Sequence, residues 1–165
     1  QKTESVGGIL LIDSQPGKGL TLSMRLPVTA AVIPALLVKI AETTFAIPLT
    51  SVLEIVLIKP SQVRRVDHGE TILHRDRVLE IIRFSKLFPQ FAATPVPEET
   101  DRPLNVVIVE TASVQFGLVV EKLVCQQDIV VKQLSRELKK SRGMAGGTIL
   151  GDGKVALVLD VGTLI

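Results

Sequence analysis

The sequence predicts a mainly β chain assembled from two related units, and three observations carry that prediction. Most apolar residues fall in short runs rich in Val, Ile and Leu, separated by turn formers, and no run sustains a helical period. The stretch Pro89 to Pro103 holds four of the nine prolines together with Glu98, Glu99 and Asp101, so it cannot bury a face and reads as a linker. The sequences on either side of that linker match each other.

The match has two parts. At an offset of 71 residues, Val38, Ala41, Phe45, Ile47, Leu49 and Val52 meet Val109, Ala112, Phe116, Leu118, Val120 and Leu123. At an offset of 77, Ile72-Leu73, Arg77-Val78, Ile81-Ile82 and Leu87-Phe88 meet Ile149-Leu150, Lys154-Val155, Val158-Leu159 and Leu164-Ile165. The drift between them falls in mid-copy, where a loop absorbs an insertion at little entropic cost. Chance pairing of aliphatic residues is the alternative, and the paired phenylalanines and the polar residues at 42–44 and 113–115 argue against it. The copies run roughly over 33–88 and 104–165. Each shows a strand, a tight turn and an alternating strand opening with Phe, the pattern expected where a ring plugs one end of a small barrel. Barrel closure also removes the edges that make apolar strands aggregate.

Taken in order, Ile9 to Ile12 and Leu20 to Leu26 flank Ser14-Gln15-Pro16-Gly17-Lys18-Gly19, a turn sequence that predicts a hairpin. Further strands are predicted near 33–41, 45–58, 71–74, 77–83, 104–111, 115–125, 128–133, 147–151 and 154–160. Short helices are predicted at 84–88, 135–141 and the extreme C-terminus, where Asp160 offers an N-cap.

The 165 residues, 46% hydrophobic, suffice for a real core and exclude a disordered chain, and a net charge of +2 gives no electrostatic reason for a nucleic-acid partner. The longest run without ionisable residues, Leu26 to Val38, contains two prolines and falls short of the roughly 20 apolar residues a bilayer requires, so no direct membrane insertion is expected. The start Gln1-Lys2-Thr3-Glu4 lacks the pattern of a secretory signal. Cys125 is alone and forms no internal disulfide, which fits a cytoplasmic location.

Several strings resemble catalytic motifs and fail on their spacing. His74-Arg75-Asp76 looks like the protein-kinase catalytic loop, but Ile81 stands where that loop needs a metal-holding asparagine, so a hairpin turn is expected. Pro16-Gly17-Lys18-Gly19 lacks the Ser or Thr of a Walker loop. Gly143-Met144-Ala145-Gly146-Gly147 and Gly151-Asp152-Gly153 read as turns. His68 and His74, the only histidines, cannot with one cysteine make a structural zinc site, and His68 lies in a turn rather than on the helix face a phospho-accepting histidine needs. Cys125 is expected to be a packed small hydrophobe. Lys132, Arg136, Lys139, Lys140 and Arg142 lack interleaved aromatics and read as a solvated face.

Together, Gly7-Gly8-Ile9 through Gly17-Lys18-Gly19 and Leu26-Pro27-Val28-Thr29-Ala30-Ala31 resemble the end of the ATP-binding domain of chemotaxis sensor histidine kinases leading into their regulatory domain. The likeness continues through Phe45-Ala46-Ile47-Pro48-Leu49, Gly117-Leu118-Val119-Val120, Gln126 to Lys132 and Gly147 to Leu157, and so covers nearly the whole chain. It implies that residues 1–29 are the last hairpin of a kinase domain. It also implies that 30–165 form a domain similar to the chemotaxis coupling protein, with two five-stranded barrels. In that family the domain does no chemistry. It binds the coupling protein and the cytoplasmic tips of chemoreceptors and passes their state to the parent kinase domain. ATP and magnesium belong to that parent, and no cofactor is implied for this fragment. Two positions depart from the family pattern: Leu20 stands where threonine is usual, and Glu80 where proline is common, which leaves the edge geometry of that strand open.

On this reading signals cross the junction around Pro27 to Ala31, by contacts that differ between two arrangements. Apolar side chains at barrel ends are the expected contacts: Leu87 and Phe88, with Ile72 and Leu79 nearby, ordinary core packing being the alternative for all four. A stand-alone adaptor and an ATP-binding kinase fragment are the competing functions.

Overall fold

The structure is a computed structural model that describes residues 9–15, 17, 19–25, 32–66, 69–91, 102–132 and 142–165. The chain forms two compact units, residues 1–30 and 31–165.

The first unit contains one antiparallel hairpin, β1 (Ile9–Gln15) with β2 (Gly19–Arg25), in which Ile12 faces Leu22. Its turn needs left-handed backbone, and Gly17 (φ 78°) and Gly19 (φ 111°) supply it.

The second unit holds β3 (Val32–Ile40), β4 (Thr43–Pro48), β5 (Val52–Ile58), β6 (Arg64–Val66), β7 (Gly69–His74), β8 (Arg77–Arg83), a one-turn helix α1 (Phe84–Leu87), β9 (Leu104–Glu110), β10 (Gln115–Val120), β11 (Lys122–Val130), β12 (Met144–Ile149) and β13 (Val155–Leu159). They form a six-stranded sheet in the order β5-β9-β10-β8-β7-β6 and a five-stranded sheet in the order β11-β3-β4-β13-β12. The sequence copies are therefore not the spatial units. Each copy gives its first hairpin, β3–β4 or β9–β10, to the sheet built from the rest of the other copy.

The ladders repeat residue by residue. Val38 faces Phe45 as Val109 faces Phe116, and Ala35 faces Gln127 as Val106 faces Val56. Ala46 pairs in parallel with Val158 as Gly117 does with Ile81. Even the β-bulge recurs, between Val52 and Glu54 and between Leu123 and Cys125. The offset of 77 fails at one place. Across the turn between β12 and β13, Thr148 faces Ala156 as Ile72 faces Leu79, so Thr148, not Ile149, is the counterpart of Ile72.

The runs 45–58 and 115–125, read as single strands, each divide where the chain crosses from one sheet to the other. A short 3-10 turn at Leu49–Ser51 separates β4 from β5, and Glu121 separates β10 from β11. Periodicity cannot show this, because the apolar run continues through the crossing. The three-residue β6, exposed throughout, has no apolar pattern to betray it. It also makes one sheet six-stranded where two five-stranded barrels were expected. The end strands of the five-stranded sheet meet at one backbone bridge, Lys132 with Gly147, through hydrogen bonds of 2.8 and 2.9 Å. Among the described residues no ladder joins β5 to β6.

Three apolar clusters explain the burial. The largest takes Leu36, Val38, Phe45 and Ile47 from one sheet and Val107, Val109, Phe116 and Leu118 from the other, so it lies between the sheets. Each sheet also encloses its own cluster: Ile58, Ile72, Leu79, Ile81, Val106, Ile108 and Val119 in one, and Ala35, Leu37, Ala46, Ile129 and Val158 in the other. Strands β3, β4, β9 and β10 have apolar neighbours on both faces, hence their consecutive buried residues. Phe45 and Phe116 belong to the shared cluster, so neither plugs a single barrel as expected.

The predicted helix at 84–88 is α1, and Asp160 caps a C-terminal 3-10 turn by accepting the Gly162 N–H at 3.2 Å. The helix expected at 135–141, His68 and the junction at 27–31 lie outside the described residues. Strand β8, whose edge geometry was left open by Glu80, is interior, with Glu80 facing Thr71.

Candidate partner-binding surface

The residues first offered as contacts are mostly core. Ile72 and Leu79 sit in the cluster enclosed by the six-stranded sheet, and Phe88 is buried against the rings of Phe45 and Phe84 at centroid distances of 6.0 and 5.0 Å. Leu87 is half-buried against the shared cluster. Exposure, the premise on which they were offered, fails for Ile72, Leu79 and Phe88. The inward positions of β7 and β8 and the strong ring packing around Phe45 draw them inside.

Exposed apolar residues are spread over several strands of the second unit, and β5 carries a continuous stripe of them. Leu53, Ile55 and Leu57 alternate along that strand, with Leu57 65% exposed. The equivalent positions on β11 are Val124, Gln126 and Asp128. Only one of the duplicated strands thus keeps a full apolar stripe facing solvent, and setting the two copies side by side would have found it. A second pair, Leu73 facing Val78 beside the β7–β8 turn, is 69% and 73% exposed, and Ile149 facing Val155 repeats it in the other sheet.

Next to the stripe, Leu53, Glu54, His74, Arg75, Arg77, Leu79, Ile108 and Gln115 line a concavity of about 500 Å³. Its floor is the enclosed cluster and its rim is polar. The bulge turns Glu54 into this mouth, where Oε1 lies 2.9 Å from His74 Nε2 and Oε2 accepts from Arg75 Nη2 at 2.9 Å. Gln115 donates to Glu110 at 2.7 Å. Towards the other end of the cluster, buried Glu70 accepts two hydrogen bonds from Arg83, 2.8 and 3.1 Å. Removing Arg83 would leave the buried Glu70 carboxylate without its two-pronged partner.

The kinase-like triplet and Gly151-Asp152-Gly153 resolve as turns, whereas of Gly143-Met144-Ala145-Gly146-Gly147, expected to be a turn, only Gly143 turns and the rest belongs to β12, with glycine at 146 because the Lys132 carbonyl leaves no room there for a Cβ. Arg75 (φ 47°) and Asp76 (φ 62°) form the β7–β8 turn, so the kinase-like triplet is a hairpin corner whose histidine and arginine are held by Glu54. Asp152 turns the chain between β12 and β13; the Lys154 N–H at 3.1 Å, and then the Lys154 ammonium, hold its carboxyl below the usual carboxylate range. Cys125, expected to be packed, is exposed instead: the bulge and the position of β11 at the end of its sheet turn it outward. Of the basic cluster, Lys132 and Arg142 are described and exposed. Among the described residues no group of His, Cys, Asp or Glu gathers as a metal site, and no helix is long and apolar enough to cross a membrane.

Comparison with known proteins places this architecture. The sensor histidine kinase CheAY of Helicobacter pylori is 40% identical over 162 residues, covering 98% of this chain and 20% of that protein. The chemotaxis protein CheA of Treponema pallidum is 35% identical over 98% of this chain and 20% of its own length, and that of Bacillus subtilis 32% over 99% and 24%. The chain thus spans about a fifth to a quarter of the length of these relatives. The scaffolding protein TtCheW from Thermoanaerobacter tengcongensis superposes with a TM-score of 0.65 over 81% of this chain and 92% of that one at 15% identity, a likeness of fold. The model of the CheW-like domain matches residues 34–165, and with the crossed hairpins, the twin sheets and the kinase relatives in view, the chain belongs to the CheW-like domain family.

Proposed function

We propose that this chain is the regulatory and scaffolding part of a chemotaxis-type histidine kinase. It binds the coupling protein and the cytoplasmic tip of a chemoreceptor and transmits their state to the kinase domain of its parent. It does no chemistry itself and works in the cytoplasm, and ATP and magnesium serve the parent. The observation that carries the binding role is the apolar stripe Leu53, Ile55 and Leu57, kept in one sheet and lost from its duplicate. A contiguous exposed apolar surface of this kind marks an interaction site. The kinase relatives align over 98% of the chain, hairpin included, which favours a kinase segment over a stand-alone adaptor. Transmission requires contacts that differ between two arrangements of the parent.

The test is titration of the chain with purified coupling protein and with a receptor-tip fragment. The double substitution Ile55→Asp with Leu57→Asp should weaken capture by roughly thirtyfold or more, the effect of losing an interface hot spot, with circular dichroism unchanged. Val124→Asp on the duplicate strand should leave capture intact. Undiminished capture by the double variant would remove β5 from the interface.

A further inference from the structure

We propose that the β3–β4 turn is a two-position element, and that Glu121, where the chain crosses between the sheets, is the positioning residue that holds it in the strained position. The two copies make this turn at equal length, with Ile40-Ala41-Glu42-Thr43 in the first and Thr111-Ala112-Ser113-Val114 in the second. Their backbones differ. Ala41 has a φ of 50°, a left-handed conformation that costs an alanine energy, whereas Ala112 does not take a positive φ.

Each form has a visible cause. In the second copy the turn closes on itself, because Thr111 Oγ1 accepts from the Ser113 and Val114 N–H groups at 3.4 and 3.1 Å. Ile40 stands in the place of Thr111 and is buried, so the first turn has no such hydroxyl. Help comes from 80 residues away instead, as the Ala41 N–H donates to Glu121 Oε2 at 2.7 Å. Thr50 occupies the matching position of the other crossing, so the second turn is offered no carboxylate there. The same short turn thus takes two backbone forms within one chain, and in the first copy an acceptor carried by the crossing selects between them.

This arrangement ties the turn to the other sheet. Asn105 on β9 donates to the Glu121 carbonyl at 3.3 Å and faces both Val120 and Leu57 in its ladders. The main chain of Glu121 is therefore fixed to the six-stranded sheet, while its carboxylate holds a turn of the five-stranded one. Strand β3 runs to that turn from Val32, next to the start of the second unit. A shift at the crossing that withdraws the carboxylate leaves the strain of Ala41 uncompensated, and the turn relaxes to the form its duplicate shows. An element with two positions that two sites both bias is the physical requirement for transmission. That use rests on reading the chain as the regulatory part of a kinase, whereas the turn itself is tested on the chain alone.

The experiment is backbone NMR of the chain, read at the amide signals of Glu42 and Thr43 and in hydrogen exchange of the Ala41 amide. Glu121→Ala should displace both signals and speed Ala41 exchange about fivefold, the net weight of one hydrogen bond, with the Ser113 and Val114 signals in place. Glu121→Gln keeps a carbonyl acceptor and should restore most of the original pattern. In a chain carrying Ala41→Gly, where the left-handed form is free of strain, Glu121→Ala should displace the Glu42 and Thr43 signals far less. Signals unmoved by Glu121→Ala, or moved equally in the two backgrounds, would overturn the proposal. Coupling protein that binds without moving these signals would remove the turn from transmission and leave its two positions standing.

Discussion

The two sheets share a ladder plan and differ in what fills it. In the five-stranded sheet the positions around Ala46 are held by Ala35 and Val158; in the six-stranded sheet the same positions around Gly117 are held by Val106 and Ile81. Volume removed from the central strand is returned by its neighbours, as close packing demands. Charge differs too. Glu70 with Arg83 and Glu54 with His74 and Arg75 bracket the cluster of the six-stranded sheet, while the matching positions Gly146, Asp160 and Cys125 hold no such pairs. Duplication has preserved the backbone pairing that defines the fold and released the side chains, so features present in one sheet alone are where function is to be sought.

The sharpest break of this equivalence concerns the two phenylalanines. Phe45 packs against the rings of Phe84 at 4.7 Å, Phe91 at 5.5 Å and Phe88 at 6.0 Å, whereas among the described residues Phe116 shares the same cluster without a comparable ring contact. Truncation of a buried phenylalanine costs about 3–5 kcal/mol. Phe45→Ala should fall at the top of that range and Phe116→Ala about 1 kcal/mol lower, the difference being the ring contacts. Denaturant unfolding measures both, and equal losses would show that the aromatic cluster adds nothing beyond burial.

The sequence reads well where side chains alternate or repeat. Phe45 and Phe116 betrayed the duplication because a buried ring tolerates little change, and the turn at Arg75-Asp76 was legible from its position between two apolar runs. The strand exchange was not legible, because Leu49 to Ser51 and Glu121 carry the chain between sheets without a break in hydrophobicity. Which of the candidate contacts are exposed was not legible for a related reason. Ile72 and Leu79 look like Leu73 and Val78 in composition, and only the register shows which pair faces the cluster and which faces solvent. Cys125 turned outward because a bulge, invisible to period counting, resets the alternation.

A smaller effect tests the exchange of volume. A Cβ added to Gly117 would lie 2.6 Å from Val106 Cγ1 and 2.9 Å from Ile81 Cγ2, inside any real contact distance. Gly117→Ala should therefore destabilise the chain by about 1–3 kcal/mol, the usual cost of overpacking. Adding Val106→Ala, which copies the Ala46 and Ala35 arrangement of the other sheet, should recover part of that loss. A double variant no more stable than the sum of the singles would show that the two positions do not share one space.

The smallest expected effect has the opposite sign. The side-chain oxygen of Thr148 is buried without a hydrogen-bond partner among the described residues, and its counterpart in the six-stranded sheet is the apolar Ile72. A hydroxyl removed from water without a partner costs about 1–3 kcal/mol in proteins. Thr148→Val replaces the hydroxyl with a methyl of similar size and should raise stability by about 1 kcal/mol, whereas Thr148→Ser keeps the hydroxyl, loses the methyl and should lower it. Thermal unfolding of the pair decides: a destabilised valine variant would mean that this hydroxyl has a partner, and that the second sheet keeps a polar contact where the first keeps isoleucine.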